Sequence, residues 1–166
     1  YPLSLHDALP ICLLALLLAL GLGGCYDGGP LSGISATLGV NVANGAVLQN
    51  VDTHSGANND GLYVLTLEFG GTYGADTATR IASSDQWQAL PLTRNLAQAV
   101  QTLLLDEEGE PYIPAVETGF YFFLDRHSQA VDPKDDSTLF SRSSFNFTLA
   151  VYDTEANRLY YCALDT

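Results

Sequence analysis

Apolar residues along this chain follow two periods, and the change between them marks the elements. Ile34, Ala36, Leu38, Val40 and Val42 alternate with small or polar residues, which predicts a half-buried strand. Asn44-Gly45 follows as a hairpin signal, because both residues tolerate positive φ, and 46–51 reads as the return strand. Residues 52–61, DTHSGANNDG, are a polar loop, and LYVLTLEF at 62–69 is apolar on both faces, as a central strand would be. Small residues make 70–83 another loop. A short turn is expected around Trp87, interrupted by Pro91. Thr93 can cap an amphipathic helix over about 93–106. There Leu92, Leu96, Ala99, Val100, Leu103 and Leu104 share one face, and Gly109 marks the stop. GFYFFLD (119–125) predicts a strand buried on both faces. Phe145, Phe147, Leu149 and Val151 alternate along the next, and 158–164 returns as its hairpin partner across a turn at 153–157. The expected order is β-β-β-α-β-β-β. This is an α+β fold, with an antiparallel sheet built from hairpins and the helix packed on one face.

The first 25 residues have a different character. Ile11 to Leu22 is almost all Leu and Ala, too short to span a bilayer as a helix but of the right length for a signal-peptide core. Leu22-Gly23-Gly24-Cys25 resembles the lipobox of bacterial lipoproteins, which implies that Cys25 becomes the first mature residue and carries acyl chains. No Lys or Arg precedes it, whereas a signal peptide opens with basic residues. Residues 3–11, LSLHDALPI, resemble a translated sequencing adapter, so 1–10 is read as a sequence artefact and His6 and Asp7 are set aside. The chain then divides into a signal-peptide core and cleavage site (11–24), a lipidated Cys and tether (25–32) and one globular domain (33–166).

Charge narrows the function classes. Setting Asp7 aside leaves 18 acids against six Lys and Arg in residues 25–166, a formal net charge of −12. That balance excludes the basic footprint of a nucleic-acid binder and allows a basic protein partner or a cation. Once Cys12 has left with the leader and Cys25 is acylated, Cys162 has no disulfide partner. Its apolar setting, LYYCAL, suits an inert buried thiol.

Candidate chemistry is sparse. The chain has no G-x-S-x-G, P-loop, H-E-x-x-H or C-x-x-C pattern. A calcium loop starting at Asp132 would place Ser137 where glycine is needed and Ser143 where a bidentate glutamate is needed. Two Asp-rich loops hold the histidines of the domain: Asp52-Thr53-His54 with Asp60, and Asp125-Arg126-His127 with Asp132. If strands 62–69 and 119–125 pair antiparallel, His54, His127, Asp52, Asp60, Asp125 and Asp132 share one rim, a ligand set suited to a divalent metal ion. The plainer reading is a set of hydrogen-bonded turns with Arg126 paired to an acid.

D-x-H…D-G, W-x-x-L-P at 87–91, DRHS with its following aspartates, and SFNFTLAVYDT…LYY…LDT together resemble a group of small bacterial proteins with no established activity, over about 33–166. That resemblance implies a single domain and says nothing about a reaction. The leading expectation is a lipid-anchored protein of the cell envelope, favouring the outer membrane where there is one, that works by binding. One alternative is a metal-assisted hydrolase using the His/Asp loops. The other is an acidic inhibitor or immunity-type protein that holds a basic partner through 106–110 and 132–136.

Overall fold

The computed structural model describes residues 29–166. The artefact, leader and Cys25 readings concern residues outside that range. Six strands form one antiparallel sheet: β1 (Ala46–Asp52), β2 (Gly61–Glu68), β3 (Trp87–Ala89), β4 (Gly119–Asp125), β5 (Asn146–Asp153) and β6 (Arg158–Asp165), in the spatial order β1-β2-β6-β5-β4-β3. The fold is α+β, and hairpins β1–β2 and β5–β6 supply much of the sheet.

Three helices accompany the strands: α1 (Pro30–Leu38), α2 (Thr72–Ala82) and α3 (Arg94–Thr102). The helix on one face expected from the sequence is α3. Thr93 caps it, its hydroxyl accepting the Leu96 N–H at 3.2 Å. Leu96, Ala99 and Val100 pack with Phe147, Leu149, Val151, Leu62, Val64 and Cys162. Its end is a correction. The helix stops at Thr102 because the Leu103 and Leu104 N–H groups both return to the Ala99 carbonyl. The Asp106 carboxylate then captures the Glu108 and Glu110 N–H groups and turns the chain.

The opposite face of the sheet carries α1 and α2, both read as other structure in the sequence. Residues 34–42 are not a strand. Pro30 occupies the first turn of α1, and Gly39 ends it in the left-handed region at φ 65°. Ile34 and Leu38 are buried while Ala36 faces out, so the period-two pattern was coincidental. Helix α1 also takes up residues 30–32, which the sequence assigned to the tether. Asn44-Gly45 closes a turn into β1, Gly45 N–H to Val42 carbonyl, and joins no hairpin. In 70–83 the buried residues of α2 are Gly74, Thr77 and Ile81, with Gly74 leaving room for the Asn157 side chain and Ile81 filling the core. Trp87, expected in a turn, begins β3; it sits in this second core and donates Nε1–H to the Leu38 carbonyl at 3.0 Å. Buried Tyr152 donates to the Gly74 carbonyl at 3.0 Å. Among the described residues, no helix is long and apolar enough to cross a membrane.

Strand β1 is one edge of the sheet. Its ladder with β2 shifts register between Val47 and Gln49, and Val47 and Leu48 are 53% and 50% exposed.

Candidate functional site

Strands 62–69 and 119–125 do not pair. Both β6 and β5 lie between β2 and β4, which puts three inter-strand spacings, about 14 Å, between the two strands that carry the histidine loops. The loops do share one end of the sheet: Gly61 of β2 and Asn146 of β5 both face Asp165 of β6, and Asp125 of β4 faces Phe147.

Each histidine finds its own partners. Asp52 Oδ1 accepts the His54 backbone N–H at 3.0 Å and lies 2.6 Å from its Nδ1. On the other side of the ring, Nε2 lies 3.4 Å from Asp165 Oδ2. Gly61 permits this placement, because a Cβ there would lie 2.4 Å from the His54 Cα. Hydrogen bonding to Asp52 raises the His54 pKa, and Asp165 adds to the effect against the opposing cost of burial. The same bonds to His54 hold the Asp52 carboxyl below its ordinary value. Asp165 in turn receives Arg126 through two bonds, 2.8 and 3.1 Å, and Arg126 Nη2 also donates to the carbonyls of Phe147 and Leu164. The result is a charge string, Asp52–His54–Asp165–Arg126, that ties the β1–β2 loop to the end of β6 and the exit of β4.

His127 stands outside that string. Its Nδ1 accepts the Gln129 N–H at 3.1 Å, which leaves Nε2 to donate to Ser144 Oγ at 3.1 Å. Asp125 accepts the His127 N–H and meets Arg142 in an ion pair, Nη1–Oδ1 3.1 Å and Nη2–Oδ2 2.8 Å. The two side chains are only 1% and 7% exposed. The Nη2 contact is close but off-angle for a hydrogen bond, and Nε has no acceptor among the described residues. Asp132 Oδ1 accepts the Lys134 N–H, Asp135 holds Ser137, and Asp136 bonds Thr93 at the start of α3. Among the described residues, Asp60 has no side-chain hydrogen-bond partner. Among the described residues, no group of three or more His, Cys, Asp or Glu side chains is placed to hold a metal ion. The six sequence candidates are thus divided between turns and two ion-pair systems. Sequence reasoning did not single out Asp165 or Arg142, which pair with residues 111 and 17 positions away. Cys162 is buried, and burial pushes its thiol up to about 12.

A cavity of about 250 Å³ opens beside α3. Leu90, Leu92, Val100, Ile113, Val116 and Val151 form its apolar wall, two prolines (Pro91 and Pro114) stiffen its lip, and Gln101 supplies an amide. Among the described residues, no titratable side chain lines it. It is slightly smaller than the ~300–1,000 Å³ of ordinary ligand sites, a size suited to one aromatic ring or one large aliphatic side chain.

Comparison of the chain with protein-family models, with curated proteins and with solved structures finds no match.

Proposed function

We propose that this chain is a lipid-anchored binding module of the bacterial cell envelope, and that it takes an apolar group of its ligand or partner into the cavity beside α3. The observation that carries the reading is the wall of that cavity. Aliphatic side chains and two prolines offer burial and shape, with one amide to orient what enters. Apart from Asp60, the titratable residues of the rim are engaged in holding turns and loops in place. A metal-assisted hydrolase would draw on His54 and His127 together, and these face different partners across the width of two strands.

The anchor part rests on the lipobox resemblance at Leu22–Cys25. From Cys25 to Pro30 the chain can extend at most about 18 Å, so a domain anchored at Cys25 would work close to the bilayer.

A neutral apolar dye, N-phenyl-1-naphthylamine, tests the cavity. Ala97 is an exposed position of α3 on the cavity wall, so Ala97→Trp should fill the opening without disturbing the core. The expected result is dye fluorescence with the wild type, its loss with Ala97→Trp, and the same melting temperature for both. Equal dye binding by the two proteins would remove the cavity as the site.

A further inference from the structure

A second groove lies between the β1–β2 hairpin and the turn that follows α3. Its volume is about 460 Å³. Val51, Leu62, Leu103, Leu105 and Leu164 make its floor. Asp60 stands on the hairpin side of its rim and Asp106 and Glu107 on the turn side. Asp165 also reaches the groove, but it is already paired with Arg126. Asp60 and Glu107 have no cationic partner among the described residues. Three of the five arginines there are committed to Asp165, Asp125 and Glu68. An apolar floor beneath an uncompensated acidic rim matches a side chain with an aliphatic stem and a cationic head.

We propose that this groove seats a lysine or arginine side chain of a basic protein partner, the stem on the leucine floor and the head between Asp60 and Glu107. The proposal deepens the binding-module reading by naming a partner chemistry, and it uses a surface separate from the apolar cavity. The turn from 106 to 110 is pre-ordered for the role: Asp106 accepts two backbone N–H groups, which leaves Glu107 projecting at an exposed position. Tyr112, beside the floor, reports the local field. Its hydroxyl pKa is raised first by burial and then by Asp106, Glu107 and Glu108. The other acidic loop, 132–136, is not part of the groove. Asp135 and Asp136 are tied to Ser137 and Thr93 there, so the two acidic segments named in the sequence do not form one surface.

Labelled hexalysine, followed by fluorescence anisotropy against the full chain in neutral detergent, provides the test. Two comparison peptides carry the same number of side chains: one is acetylated on every lysine, and the other has the shorter two-carbon stem of diaminobutyrate. Hexalysine should bind, the acetylated peptide should not, and the short-stem peptide should bind about tenfold more weakly, since its stem cannot reach the floor. Asp60→Asn with Glu107→Gln should weaken hexalysine about tenfold, whereas Asp132→Asn with Asp135→Asn should leave it unchanged. Equal binding of the long and short stems, or equal losses in the two double variants, would reduce the effect to attraction by net charge and overturn the proposal. Ala97→Trp should bind hexalysine normally, so a failure of the apolar cavity and a failure of this groove read out separately.

Discussion

His54 sits between two carboxylates, and that position makes part of the stability depend on pH. Its folded pKa lies above the ordinary 6.5, so its contribution is complete below about pH 6.5 and is lost as pH rises through the folded value. Asp52 has the opposite sign: its pKa is lowered, so its contribution disappears as pH falls from the ordinary 3.8 through the folded value. The pair therefore helps most in the weakly acidic range between them. We expect His54→Ala to lower the melting temperature more at about pH 5.5 than at about pH 8.5, and a deficit that grows with pH would contradict the assignment. Arg142 presents a different case, since it and Asp125 are almost fully buried. Arg142→Ala leaves a carboxylate stranded and should cost about 3–5 kcal/mol in urea unfolding, whereas Arg142→Met with Asp125→Leu should recover much of that loss. A cost below about 1 kcal/mol, the scale of an exposed pair, would mean that water reaches the site.

Among the elements, α3 offers the cleanest measurement. Leu104 is fully buried just past the helix, while Leu103 is only partly buried. Leu104→Ala should cost about 2–5 kcal/mol by denaturant titration and Leu103→Ala clearly less, with Val100→Ala between them; the reverse order would rotate the helix end. Most strands could be read from the chain because two buried faces leave long aromatic and aliphatic runs. GFYFFLD is β4 residue for residue, and the β5–β6 hairpin turns at 153–157 as expected, whereas the hairpin expected at Asn44-Gly45 does not form. Helices α1 and α2 could not be read that way. The contact face of α2 is Gly74, Thr77 and Ile81, which carries little hydrophobic signal. In α1 Ile34 and Leu38, four residues apart, fit either period, although Pro30 and Gly39 together were a start-and-stop signal that favours a helix. The rim was legible as loops and opaque as a site. The loop sequences could not show that β5 and β6 would separate β2 from β4, nor that Asp165 would arrive beside His54.

For the whole molecule, attachment to a membrane is the property to measure. With basic residues supplied ahead of the leader, the wild-type chain should fractionate with membranes, and Cys25→Ser should remain unprocessed. Processed, acyl-free protein in the medium of wild-type cells would refute the anchor, since stable attachment takes two acyl chains or an equivalent second signal. The sheet order adds a consequence for timing. Strand β6 comes last in sequence among the six described strands yet lies between β2 and β5. A chain delivered from its N-terminus can form the β1–β2 hairpin and pair β4 with β5 early, but among the described strands those two pieces join into one sheet only through β6. Its central place makes the last strand the keystone: until residues 158–165 arrive, both halves present open edges and unburied aromatic faces. The sheet of this domain therefore cannot close until the last of its six described strands is available.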